Sequence, residues 1–133
     1  MAKTFTTIFG IILVLLGLLG FTSNPLIGSN ALFVTDSVHN LIHLIFGAIL
    51  LIVALWSSEN SAFWLKFIGM LIFLLGLIGV FTVPSSGGML LGIAATNGAS
   101  DWMHVIAGAL IFFAARYGKE GVNDGNVPLY PAG

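Results

Sequence analysis

Long apolar stretches alternate with short polar breaks along this chain. Four stand out, at about residues 5–22, 37–56, 62–83 and 101–117. Each comes close to the ~20 apolar residues that cross a bilayer core as a helix, the last being the shortest. None alternates polar and apolar positions with a period of two, so a transmembrane β-barrel is not expected. Backbone amides in hydrocarbon find no water, and a helix satisfies them within one segment. The expected fold is all-α: a four-helix transmembrane domain over residues 1–117, followed by a tail over 118–133. That tail is polar, carries several Gly and Pro residues, and is expected to be non-helical.

The pattern also repeats. The second stretch opens with Asn40-Leu-Ile-His43-Leu-Ile-Phe-Gly47-Ala, and the fourth with Asp101-Trp-Met-His104-Val-Ile-Ala-Gly108-Ala. Each phrase has a polar residue, His three positions on, and Gly-Ala four positions after that. The first and third stretches match as well: Gly10, Gly17 and Gly20 fall on Gly69, Gly76 and Gly79, at an offset close to that of the His phrases (59–61 residues throughout). The chain therefore reads as two tandem helix pairs. Each unit has an even number of spans, so the copies insert the same way round, a parallel repeat about an axis along the membrane normal. The eight glycines (Gly10, Gly17, Gly20, Gly47, Gly69, Gly76, Gly79 and Gly108) are expected at helix contacts, where small residues let backbones approach.

Composition agrees with lipid as the solvent. The chain of 133 residues is 58% hydrophobic and only 7% charged, with a mean hydropathy of +1.08. A soluble domain keeps about a quarter of its residues charged. The formal net charge of −1 offers no basic surface for nucleic acid. Cysteine is absent, which removes disulfides, thiolate metal sites and cysteine nucleophiles together. Lys3 followed by the apolar run Ile8–Phe21 has the outline of a signal peptide, but no small-x-small cleavage site follows. It is read as a retained first span.

The basic residues set an orientation. Lys3, Lys66, Arg116 and Lys119 all fall on one side of a four-span chain, and the two loops on the other side hold no Lys or Arg. The positive-inside rule then puts both termini in the cytoplasm. Trp56, Trp64 and Tyr117 fall at the cytoplasmic boundary and Trp102 at the outer one, as an aromatic belt requires. The outer loops, about residues 23–36 and 84–100, are unusually apolar and are expected to lie on or in the interface.

The titratable residues of the outer half are the candidates for chemistry. His39, Asn40, His43 and Gly47 form one stripe of a helix, with Asp36 a turn earlier; Asp101, His104 and Gly108 make the matching stripe. Ionisable groups at this depth face a bundle interior or a cavity. Three readings are open. The histidines hydrogen-bond across the bundle, to Asn40, Asp101, a loop carbonyl or each other, while Asn40 and Asp101 cap their helices. Alternatively, His43 and His104 are axial ligands of haem or chlorophyll between helices, although basic groups for haem propionates are missing from the outer loops. Or His39 and His43, at the i, i+4 spacing, join His104, Asp36 and Asp101 in an N/O set for a divalent metal such as Zn, Mn or Fe. No cofactor is called for by any motif. His39 aligns with Ser100, so the two copies are unequal there.

No nucleophile elbow, phosphate loop or deep carboxylate pair supports an enzyme. The paired phrases resemble a family of small four-helix bacterial membrane proteins of unknown function, in which Asn-x-x-His starts the second helix and Trp-x-His the fourth. The resemblance covers nearly the whole chain to Tyr117. It implies a bacterial inner-membrane location and the four-helix fold, and transfers no catalytic residue. The expectation is a non-enzymatic structural or accessory subunit, embedded in the lipid bilayer and part of a homo-oligomer or larger membrane complex.

Overall fold

Runs of Leu, Ile, Val, Phe and Ala fold into four helices, with Pro25 and Pro84 left to the loops. A proline lacks the N–H that a helix interior needs. Helix α1 spans Ala2–Gly20, α2 spans Ser37–Trp56, α3 spans Ser61–Thr82 and α4 spans Gly98–Asp124. The computed structural model describes residues 1–124, with side chains to residue 116. All four helices are long and apolar enough to cross a membrane. Only 28–39% of each span is buried against the rest of the protein. The remainder, including Leu15, Leu55, Phe63 and Leu110, is large, apolar and outward-facing. Water would not tolerate that surface, and lipid tails do. The protein is a multi-pass membrane protein.

Two helix boundaries differ from expectation. Helix α4 begins at Gly98, ahead of residue 101, because Asn97 caps it: its Oδ1 accepts from the Ser100 N–H at 3.0 Å. At its other end α4 runs on to Asp124, so the first part of the expected irregular tail is helical. Once a helix is nucleated each added residue gains a bond, and no proline interrupts before Pro128. Residues 125–133 of the expected tail lie outside the described residues.

The helices pack as two close pairs, α1 with α2 and α3 with α4, while α2 and α3 touch only slightly. Leu13, Leu50, Leu65, Ile68, Ile72, Ile111 and Ala115, drawn from all four helices, form the buried core. Most of it fills the half of the bundle nearer the N-terminus. The other half is closed by the two long loops, which carry short β-pairs. Strand β1 (Ile27–Gly28) pairs in parallel with β2 (Phe33–Val34), and β3 (Gly88–Leu90) pairs antiparallel with β4 (Ala94–Thr96). The β3–β4 turn has Leu91 at φ +53° and Gly92 at φ +69°, closed by the Ile93 N–H on the Leu90 carbonyl at 2.9 Å. Two successive left-handed residues make this a type I′ turn. One loop is thus held by a short parallel pairing and the other by a hairpin, which their apolar composition did not foretell.

Candidate metal centre

Asp36 sets the start of α2. Its Oδ1 accepts from the His39 N–H at 2.9 Å, one turn in. With the helix begun there, His39 and His43 fall four residues apart on the buried face. Asn97 does the same for α4, which brings His104 toward them from the opposite helix pair. The ring centroids are 4.7 Å apart for His39 and His43, 5.2 Å for His39 and His104, and 5.8 Å for His43 and His104. One ring nitrogen from each of the three lies within 4.8 Å of the other two. His39 and His43 are buried and His104 half-buried.

One hydrogen bond here fixes the tautomer of a ring. His39 Nδ1–H donates to the Ala95 carbonyl on β4 at 2.7 Å, which leaves Nε2 across the ring with its lone pair. Metal-bound histidines are commonly held in this way, one ring nitrogen donating to a carbonyl and the other ligating. His43 Nε2 and His104 Nε2 are 3.5 Å apart. That is the outer limit for a hydrogen bond. It is also close to the spacing of two nitrogens on one tetrahedral zinc, about 3.4 Å for Zn–N bonds of about 2.0–2.1 Å. The two pairings with His39 lie within 4.8 Å and close by at most somewhat over an ångström, a movement within reach of side-chain rotation. His43 Nδ1 is buried with no hydrogen-bond partner among the described residues.

The carboxylates and the amide of the sequence reading lie elsewhere. Asp36 is a helix cap, not part of the histidine set. Asp101 is fully buried on the α3 side of α4. Its Oδ1 accepts from the Thr96 hydroxyl at 2.7 Å, and a methyl group at Gly79 would collide with it. Asn40 stands over Gly20 of α1 in the same manner. Neither Asn40 nor Asp101 caps its helix, as was expected of them; the caps are Asp36 and Asn97, one turn earlier. The glycines line both pair interfaces. A methyl at Gly17 would lie 2.8 Å from the Asn40 carbonyl oxygen, and one at Gly76 would lie 2.8 Å from that of Asp101. Gly10 faces Gly47, and Gly69 faces Gly108, each glycine's missing methyl pointing at its partner's carbonyl oxygen.

Beside the histidines is a cavity of about 100 Å³, walled by Ile42 and Phe46 of α2, Ile72 and Leu75 of α3, and the β3–β4 hairpin. It lends no support to haem or chlorophyll. A macrocycle ligated by His43 and His104 needs a wide flat slot between their rings, and His39 stands against both.

The family model for a domain of unknown function, DUF4383, matches residues 3–116. The chain belongs to this family. No curated protein and no solved structure matches it. The DUF4383 match covers all four spans and so includes every residue of the histidine set.

Sequence reading missed the groups that hold this DUF4383 site together. Asn97 caps α4 and also ties the two outer loops: its Oδ1 accepts from the Val34 N–H at 3.2 Å and its Nδ2 donates to the Leu32 carbonyl at 3.0 Å. A signal was present, since Asn97 stands in the same register to Asp101 as Asp36 does to Asn40. A loop carbonyl was among the partners expected for the histidines, but nothing pointed to Ala95, because a backbone acceptor is invisible in the residue type. Ser100, aligned with His39, donates from Oγ to the Val34 carbonyl at 3.2 Å. Asn97 and Ser100 thus reach across to the loop between α1 and α2, and Ala95 reaches α2 itself.

Proposed function

We propose that this membrane protein binds one divalent transition metal ion through His39, His43 and His104. The observation that carries the reading is the convergence of three ring nitrogens within 4.8 Å, with His39 already oriented by a backbone carbonyl. Three imidazoles without thiolate or carboxylate suit Zn²⁺ better than Mn²⁺ or Mg²⁺, which favour oxygen. A purely interhelical role uses the His39 bond to the Ala95 carbonyl and the long 3.5 Å contact between His43 and His104, and does not call for a third ring nitrogen to converge on that pair. Metal ligation accounts for the inward-facing nitrogens of all three.

The placement of Lys3, Lys66 and Arg116 supports cytoplasmic termini, with the site in the outer half of the bacterial inner membrane. The reciprocal bonds from His39 to Ala95 and from Ser100 to Val34 support the tandem-repeat reading, since a two-fold axis exchanges them. On that axis His43 and His104 are a symmetric pair, and His39 is the departure that makes a third ligand. The broad apolar exterior suits a small accessory subunit, not an enzyme, that packs against itself or a larger membrane complex.

The test is metal analysis of the protein purified in mild detergent after exposure to Zn²⁺ and removal of excess. One equivalent is expected, lost on His39→Ala, His43→Ala or His104→Ala and kept on Ser100→Ala, which removes the symmetric hydrogen bond alone. Less than a tenth of an equivalent in the unaltered protein would refute the reading.

A further inference from the structure

We infer that the open coordination position beside the three histidines takes the carboxylate of a long-chain acid drawn from the lipid phase. This rests on the metal reading and adds the class of ligand. Three protein donors leave a tetrahedral ion one position short. The nearby carboxylates do not fill it: neither Asp36, which caps α2, nor Asp101, whose Oδ1 accepts from the Thr96 hydroxyl, has an oxygen within the cluster of three ring nitrogens.

The wall of the cavity decides what does. Apart from the histidines it is built of Ile42, Phe46, Ile72, Leu75 and the apolar hairpin residues, with no other polar side chain. A water there would have the ion and little else to bond, whereas buried water typically makes two to four hydrogen bonds. An alkyl chain gains from every methylene it places against such a wall. Charge points the same way. Three neutral imidazoles bring no negative charge to the ion directly, since Asp36 and Asp101 stand nearby but outside the ligand set, and ionic groups within the membrane are retained when paired. A carboxylate supplies both the missing donor and a negative charge.

The lining narrows the class further. It suits a carboxylate at the histidines with its methylenes along Ile42, Phe46 and Leu75, and offers no polar side chain beyond the histidines to the phosphate and ammonium of a phospholipid headgroup. Leu91 and Ile93, at the hairpin end of the cavity, are 60% and 58% exposed, so the rest of the chain has a way out into lipid.

The experiment uses the whole protein in nanodiscs of phosphatidylcholine, loaded with Co²⁺ as a coloured stand-in for zinc. Decanoate, acetate and decanamide are titrated against its visible absorption. Decanoate is expected to shift the Co²⁺ bands at a concentration at least ten-fold below acetate, with decanamide without effect. Leu75→Trp, which fills the cavity, should keep Co²⁺ binding and the acetate response but remove the decanoate advantage, separating the cavity from simple partition into the bilayer. A Co²⁺ spectrum that decanoate leaves unchanged, or shifts no better than acetate, would overturn the inference and leave the metal reading standing. An equal response to decanamide would overturn the anionic head. An advantage that survives Leu75→Trp would overturn the cavity. Absence of any bound Co²⁺ would remove the metal reading itself.

Discussion

The Nε2 atoms of His43 and His104 lie 3.5 Å apart although 61 residues separate them in the chain. Each enters near the start of its own helix, on opposite helix pairs, and the approach depends on both caps holding their helices in register. His39 then completes the set from the helix that carries His43. The whole arrangement hangs on where α2 and α4 begin.

Metal binding to the folded state alone stabilises it by mass action. At a metal concentration about 100 times the dissociation constant, the gain is about 2.7 kcal/mol. Thermal unfolding in detergent should therefore shift upward with Zn²⁺ and return with a chelator. The shift should vanish in the double variant His43→Ala, His104→Ala. An equal shift in that variant would place the metal elsewhere.

Asp36→Ala tests the cap against the ligand. Loss of the bond to the His39 N–H should cost about 1 kcal/mol of stability. Metal stoichiometry should stay at one at saturating Zn²⁺, with weaker binding as the first turn of α2 loosens. A loss of metal with unchanged stability would return Asp36 to the coordination set.

Gly20→Ala and Gly79→Ala each place a methyl group onto a buried polar side chain, Asn40 in one case and Asp101 in the other. Overpacking of this kind costs about 1–3 kcal/mol. Gly92 has nothing within 4 Å of the added carbon, so Gly92→Ala carries only the strain of its positive φ. Unfolding in mixed micelles should rank the first two as the more damaging. A larger effect at Gly92 would contradict the packing described above.

Leu91 occupies a left-handed conformation, φ +53°, at the first central position of a type I′ turn. Asn-Gly is the favoured pair there. Leu91→Asn should stabilise the hairpin, by about 1 kcal/mol or less once side-chain differences are included. Slower amide exchange in β3 and β4 would register it, and faster exchange would show that the leucine's apolar contacts outweigh the strain.

The chain has no cysteine, so single introduced thiols report orientation cleanly. Glu59→Cys, between α2 and α3, should react with an impermeant maleimide only after the membrane is opened. Ser86→Cys, in the exposed turn between α3 and β3, should react from outside intact cells. The reverse pattern would invert the proposed orientation.

Much of this protein is written in one dimension. The four spans are legible because the bilayer imposes length and apolarity on each segment independently, and those are sums over neighbouring residues. The glycine matches and the two His phrases are legible for the same reason, being local and repeated. Span ends were less so: Asn97 outcompeted Asp101 as the cap, since a cap is chosen by which side chain meets the first free amides, not by composition. Helix α4 likewise ran past Tyr117 because an established helix propagates through residues that would not start one.

Which polar residues meet was decided only in three dimensions. Asp36, His39 and His43 were equal candidates along the chain, yet a single hydrogen bond made the first a cap, while the other two gathered with His104. Asp101 and His104 parted in the same way, one turned to Thr96 and Gly79 and the other to His43. The carbonyl of Ala95 orients His39 only because β4 folds back over α2, and the apolar cavity exists only because α2 and α3 stay apart. Spacing within one helix determines which side chains share a face; the meeting of two faces depends on packing, which couples residues that the chain keeps far apart.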